Sequence, residues 1–174
     1  MDYPMRADLK VGAKFPDFEL PDHTGEVHKL SQLLKGLPGV LIFSRGHFCP
    51  KDRRQLRNYV EYLQPELPVN YCSIISVSVD DELTTQEVRE QLNANWTFLS
   101  DSDKKLLHEL EMVDKTDSIH GEIYIPYAFV LDGDRTIYKI YNGWWFLGRP
   151  TVEELRMDFR ALMSQRADWV YADA

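Results

Sequence analysis

Cysteine is scarce in this chain, and long apolar runs are missing altogether. Among 174 residues only Cys49 and Cys72 carry thiols, so a disulfide scaffold is excluded and each thiol can be considered separately. No stretch approaches the roughly 20 apolar residues that a membrane-spanning helix needs. The segment from Met1 to Lys10 has no apolar signal-peptide core. We therefore expect a cytoplasmic protein without membrane association.

Basic residues are in the minority. Twenty Lys and Arg against 28 Asp and Glu give a formal net charge of −8, which leaves no electrostatic footprint for nucleic acid. There is no glycine-rich phosphate loop and no serine nucleophile elbow, so we expect no cofactor. We also expect no metal, because four histidines show no ligand spacing: His23, His28, His108 and His120.

The composition and the hydrophobic pattern predict one domain over residues 1–174, with a frayed tail over 167–174. A strand–helix–strand crossover that leads to a late antiparallel hairpin requires a mixed sheet with helices on both faces. The predicted class is α/β, a thioredoxin-like three-layer α/β/α fold with an N-terminal β-hairpin. The predicted elements are a hairpin (the end of segment 11–20 with 27–30), strand 39–43, a helix from Pro50 that ends by Pro65 and Pro68, strand 74–79, a helix opened by a Thr84–Glu87 capping box and running to about 93, strand 96–99, helix 103–111, a hairpin (127–131 with 136–141) and a last helix opened by a Thr151–Glu154 capping box.

Cys49 stands where a buried strand passes into a helix. Pro50 suits the first helical position, which makes Cys49 the N-cap, so backbone N–H groups and the positive end of the helix dipole point at the sulfur. Arg53 follows four residues later on the same helix face, and Arg45 and His47 lie just upstream. We expect these charges to lower the thiol pKa by about one or two units, which makes Cys49 the nucleophile. The alternative is a buried, inert cysteine.

Five segments, in order, resemble the alkyl hydroperoxide reductase/thiol-specific antioxidant branch of the peroxiredoxins. They are 11–20, 42–50, 77–80, 99–101 and 129–132. The resemblance implies a peroxidase whose Cys49 attacks a hydroperoxide and becomes a sulfenic acid. It also implies that Gly46, His47, Phe48 and Pro50 of the cysteine loop contact the substrate, together with Pro126 and Tyr127.

Two positions depart from that family pattern, and a third departs from the CxxC pattern of many thioredoxin-like relatives. Gly46 stands where a Thr or Ser normally supplies a hydroxyl donor, and Pro126 stands where the distal arginine is expected. Arg45 or Arg53 could replace these donors. Pro126 instead resembles the cis proline of thioredoxins, with an ordinary trans proline as the alternative. Asp52 occupies the position of the second cysteine of a CxxC pair, which excludes that dithiol. Asp52 could hold Arg45 or Arg53 in place, or it could be a solvated acid of the first helical turn.

Cys72 is the other candidate for reducing oxidised Cys49. It opens the strand parallel to the one that precedes Cys49, which places it at the opposite edge of the sheet, roughly 20 Å away. A disulfide requires Cα atoms within about 7 Å. The sequence therefore predicts that Cys72 is a structural strand cysteine, with an intersubunit role as the alternative. It also predicts a one-cysteine mechanism with an external thiol or redox protein as reductant.

The loop 142–150 is unusually aromatic, with Trp144 and Trp145 at its centre. It could line a substrate pocket, make a homodimer contact or pack on the domain itself. Two other functions stay open at this point. Cys49 could exchange disulfides with other thiols, or the domain could be a redox-sensing binding module with little turnover.

Overall fold

The computed structural model describes residues 3–145 and 147–167, without the side chains of residues 69 and 70. Strands and helices alternate through most of the chain. The strands are β1 (Glu19–Pro21), β2 (Val27–Lys29), β3 (Gly39–Phe43), β4 (Ser73–Ser78), β5 (Thr97–Ser100), β6 (Val113–Asp114), β7 (Ile123–Tyr124), β8 (Tyr127–Leu131) and β9 (Ile137–Asn142). The helices are α1 (Leu30–Leu34), α2 (Pro50–Tyr62), α3 (Leu67–Asn70), α4 (Glu82–Leu92), α5 (Lys105–Glu109) and α6 (Val152–Ser164).

A five-stranded mixed sheet forms the centre, in the order β5-β4-β3-β8-β9. Strands β3, β4 and β5 are parallel, whereas β8 and β9 are antiparallel to their neighbours. Gly39 pairs with Ser73 and Phe43 with Val77, so both parallel strands end at the edge where the Cys49 loop begins. The two predicted hairpins are present as β1–β2 and β8–β9.

Apolar side chains cover both faces of this sheet. Val40 and Ile42 of β3 pack with residues of α2, α4 and α6, whereas Leu41 and Phe43 pack with residues of α1 and α5. This alternation follows from the two-residue period of a strand, and each fully buried aliphatic side chain contributes about 1.5–3 kcal/mol. The predicted three-layer α/β/α architecture is confirmed.

Several predicted boundaries were wrong for local reasons. Helix α4 begins after Asp81, whose carboxylate accepts the Thr84 N–H at 2.8 Å, so the predicted Thr84–Glu87 capping box does not form. Pro68 lies inside the short helix α3, at a position where proline costs no hydrogen bond. Leu30 begins α1 instead of extending β2. The Thr151–Glu154 capping box of α6 is confirmed.

Residues 168–174 of the predicted frayed tail lie outside the described residues. That residues 1–174 form one domain stays a prediction. None of the described helices has the length and apolarity needed to cross a membrane.

Candidate active site

Cys49 occupies the N-cap of α2, as predicted. Its backbone is extended (φ −80°, ψ 111°), Pro50 holds the first helical position, and the Arg53 N–H donates to the Cys49 carbonyl at 3.1 Å. Only 6% of the residue is exposed. It nevertheless borders a cavity of about 220 Å³. The cavity is lined by Arg45, Phe48, Cys49, Pro50, Lys51, Pro126, Gly143, Trp144 and Arg149.

The pKa of the Cys49 thiol is raised, which is opposite to the predicted direction. Burial is the largest cause, and the charge of Asp52 adds to it. The backbone amides of Asp52 and Lys51 and the Arg149 guanidinium lower the pKa, but they do not outweigh burial and Asp52. The prediction considered the basic neighbours and omitted both the depth of the thiol and the acid in the first helical turn.

Asp52 and Arg149 form a nearly buried ion pair beside the thiol. The Arg149 Nε and Nη2 donate to Asp52 Oδ1 at 3.0 and 2.5 Å, and the Asp52 side chain is only 2% exposed. Asp52 Oδ2 accepts the Arg45 backbone N–H at 2.7 Å. Asp52 therefore holds the Arg45 backbone, one of the two residues proposed for it. Sequence reasoning missed Arg149, because this arginine lies 97 positions from Asp52 and only the fold brings the two together.

The two predicted catalytic arginines lie in different places. Arg45 lines the Cys49 cavity, and its guanidinium pairs with Asp114 and Asp117 at 3.3 and 3.1 Å. Arg53 points toward α4, where it donates to Gln91 at 2.8 Å, and it lines a different, much smaller cavity. The structure therefore does not bring Arg53 into the Cys49 cavity.

Gly46 and His47 also face away from the Cys49 cavity, toward that smaller cavity. Gly46 has φ +140°, and a Cβ there would lie 2.9 Å from Phe48 Cε1. This explains the absence of a Thr or Ser: the loop takes a backbone conformation that favours glycine. The His47 backbone N–H and ring Nδ1 contact Asp80 at 2.8 and 2.7 Å.

Phe48, Pro50 and Pro126 line the cavity, and their contact with substrate stays a prediction. The hypothesis of a cis proline was wrong, because the Ile125–Pro126 bond is trans. Tyr127 is buried in the sheet, where its hydroxyl donates to the Tyr3 carbonyl at 3.2 Å, and it does not line the cavity.

Trp144 lines both the Cys49 cavity and a larger one of about 460 Å³. Its ring lies 5.9 Å from the Arg45 guanidinium carbon and packs on Tyr3. The floor of the larger cavity includes Val113 and Ile125. The structure is consistent with two of the alternatives for the aromatic loop, because Trp144 packs on the domain and also lines the Cys49 cavity.

Cys72 directly precedes β4, at the edge where the parallel strands begin, and Cys49 follows the edge where they end. Burial raises the pKa of the Cys72 thiol to about 12. Neither cysteine forms a disulfide bond.

The β1–β2 hairpin brings together three side chains that could ligate a cation, which the histidine spacing did not predict. One ligand atom from each of Asp22, Glu26 and His28 lies within 4.8 Å of the others. His28 Nε2 contacts Asp22 Oδ2 at 3.0 Å, and Asp22 also accepts from Thr24. These hydrogen bonds account for the cluster as part of the hairpin turn.

A cysteine at the N-cap position of a helix, at the carboxyl edge of a mixed sheet inside an α/β/α sandwich, is typical of thioredoxin-like thiol oxidoreductases. The AhpC/TSA family model matches residues 11–140. The chain belongs to this family and is a peroxiredoxin-like thiol peroxidase.

Individual relatives agree with this assignment. A curated relative named as a putative peroxiredoxin, from Mycobacterium tuberculosis H37Rv, is 26% identical over 145 residues, which cover 78% of this chain and 86% of the relative. The crystal structure of the peroxidoxin BcpB from the same species superposes with a TM-score of 0.74 at 22% identity, over 91% of this chain and 99% of that one. A yeast mitochondrial 1-Cys peroxiredoxin superposes with a TM-score of 0.73 at 22% identity, over 95% of this chain and 84% of that one. The two structural similarities support the thioredoxin-like fold.

Proposed function

We propose that Cys49 is the thiol that reduces the peroxide. Its thiolate attacks one oxygen of the O–O bond of hydrogen peroxide or an organic hydroperoxide. The sulfur is oxidised to a sulfenic acid, and the other oxygen takes a proton and leaves as water or alcohol. The observation that carries this proposal is the position of Cys49 at the N-cap of α2, facing a cavity that two arginines also line.

Arg149 takes the role that the sequence analysis gave to Arg53. Arg149 lowers the pKa of Cys49 and lines the same cavity. Its Nη1 also donates to the Gly143 carbonyl at 2.7 Å, so the guanidinium is fixed by Asp52 and by backbone. A pre-oriented cation stabilises the charge that develops on the leaving oxygen. Arg45 lines the cavity as well, but two carboxylates already hold its charge.

The substrate reaches Cys49 past Phe48, Pro50 and Pro126. Hydrogen peroxide needs only the cavity of about 220 Å³, whereas the larger space beyond Trp144 offers room for the body of an organic hydroperoxide.

The reductant is an external thiol or a redox protein. The parallel pairing of β3 with β4 keeps Cys72 at the far edge of the sheet, and its raised pKa makes it a poor nucleophile. The work on the yeast 1-Cys relative describes thiol resolution through glutathione and thioredoxin systems. A reducing compartment, the cytoplasm, suits such chemistry.

A homodimer through Trp145, which is 59% exposed, belongs to the same proposal and is tested by sedimentation.

Stopped-flow fluorescence tests the peroxidase directly, because Trp144 shares the Cys49 cavity and can report oxidation. In a Cys72→Ser background, we expect hydrogen peroxide to oxidise Cys49 about 100-fold faster than a free thiol of the same pKa. Cys49→Ser is the matched control and should give no signal. A rate equal to that of the free thiol would refute the proposal and favour the second candidate, slow thiol exchange or redox sensing. The raised pKa of Cys49 is the observation that supports that candidate.

A further inference from the structure

The connection between β6 and β7 reaches the loop that carries Cys49. From this connection, Asp117 Oδ2 accepts from Arg45 Nη2 at 3.1 Å. The ring of His120 stacks on Phe48, with centroids 3.4 Å apart and an interplanar angle of 1°. Arg45 and Phe48 therefore both make contacts outside their own loop.

Asp117 links these two contacts. Its Oδ1 accepts the backbone N–H groups of Ile119 and His120 at 2.9 and 2.8 Å, and its Oδ2 lies 2.9 Å from His120 Nδ1. One carboxylate therefore orients the ring that stacks on Phe48 and also holds the guanidinium of Arg45. The Asp117 side chain is 11% exposed, so protein contacts cover most of its surface.

Arg45 and Phe48 are both wall residues of the Cys49 cavity, and Phe48 directly precedes the thiol. The cavity measures about 220 Å³, below the 300–1,000 Å³ that is typical of pockets for drug-sized ligands. Hydrogen peroxide fits this volume, whereas a molecule the size of a tripeptide extends beyond it.

We propose that Asp117 and His120 are positioning residues that set the width of the entrance to Cys49, so that access to the thiol depends on the size of the reagent. The proposal deepens the proposed function, since in the peroxidase it would favour small oxidants over bulky thiols. The arrangement of the wall itself does not depend on peroxide chemistry.

Alkylation and disulfide exchange at Cys49, in a Cys72→Ser background, test this proposal. Iodoacetamide serves as the small reagent and 5,5′-dithiobis(2-nitrobenzoate) as the large one. Both rates are corrected to the fully ionised thiol, so that a shift in pKa does not contribute. The large-to-small rate ratio should rise about 2- to 12-fold in His120→Ala, which corresponds to the loss of one aromatic pair. His120→Phe retains a stacking ring and should keep the parental ratio. Asp117→Asn should raise the ratio, by less than His120→Ala does.

Two outcomes would overturn the proposal. One is an unchanged ratio in His120→Ala, and the other is an equal acceleration of both reagents, which would indicate general loosening. His120 is partly exposed, so the alanine variant should fold, and the phenylalanine variant checks the same position with the ring kept. Because neither reagent is a peroxide, a failure of the peroxidase proposal in stopped flow leaves this measurement unaffected.

Discussion

Replacing Asp52 by asparagine should make Cys49 easier to ionise. The charge of Asp52 raises the pKa of Cys49, and Arg149 lowers it. The asparagine side chain would keep an oxygen for the Arg45 N–H and would leave the Arg149 guanidinium as an uncompensated positive charge beside the sulfur. Arg149→Met removes the opposing charge and should shift the pKa of Cys49 upward. Replacing either partner of this ion pair should therefore shift the pKa of Cys49 in opposite directions.

The expected size of the pKa shift follows from the burial of the Asp52–Arg149 ion pair. A neighbouring charge in a buried setting shifts a pKa by about 1–3 units, and because Arg149 already offsets Asp52 we expect about one unit, or about 1.4 kcal/mol. At neutral pH, one unit increases the thiolate fraction about tenfold, while each thiolate becomes about threefold less nucleophilic. The net alkylation rate should therefore rise about threefold in Asp52→Asn and fall about threefold in Arg149→Met. Arg149→Met should also destabilise the fold by about 3–5 kcal/mol, because it leaves a buried carboxylate unpaired.

The assay is the rate of iodoacetamide labelling against pH in a Cys72→Ser background, which gives the ionisation midpoint of Cys49. Asp103→Asn is the matched control, because Asp103 is an exposed acid that does not line the Cys49 cavity. A midpoint that stays constant or rises in Asp52→Asn would refute the electrostatic reasoning. A shift of both variants in the same direction would refute it as well.

Three further results are expected. Cys72→Ser should leave peroxide turnover with an external thiol nearly unchanged, because Cys72 lies at the far edge of the sheet; a severe loss in a folded variant would restore Cys72 as the reducing partner. Gly46→Thr, which installs the hydroxyl of the family pattern, should cost about 1–3 kcal/mol in urea denaturation, because the side chain meets Phe48 at a positive φ; equal stability with faster oxidation of Cys49 would show that the loop accepts the residue. Burial raises the pKa of Asp22, but hydrogen bonds from Thr24 and the contact with His28 outweigh it and hold that pKa at about 2. The resulting stability, about 1–2 kcal/mol, is present above pH 4 and is lost as the pH falls toward 2. In urea titrations, the free energy of unfolding should therefore fall less between pH 6 and pH 3 in Asp22→Asn than in the parent protein. An equal fall in both proteins would contradict this.

Much of the fold could be predicted because its signals are local. The five apolar residues of β3 indicate a strand covered on both faces, and Pro50 marks the beginning of α2. The capping box at Thr151 is equally local. Short elements such as β6 and β7 escaped prediction, because two-residue strands have no period that a sequence pattern can reveal.

In the candidate site too, features set by adjacent residues could be predicted, whereas features set by distant residues could not. The N-cap position of Cys49 depends on adjacent residues and was predicted. The Asp52–Arg149 pair and the stacking of His120 on Phe48 depend on contacts between residues that are distant in sequence. The direction of the Cys49 pKa also depends on burial, which a list of neighbouring charges does not contain.

The parallel pairing of β3 with β4 has a consequence for the lifetime of the protein. In the proposed mechanism, the two thiols stand at opposite edges of the sheet, so Cys72 of the same folded chain would not trap a sulfenic acid at Cys49 as a disulfide. In that mechanism each oxidised molecule would wait for a thiol from outside the chain, and during that interval a second peroxide would convert the sulfur to the irreversible sulfinic form. The strand order thus makes resistance to hyperoxidation a property of the surrounding thiol concentration.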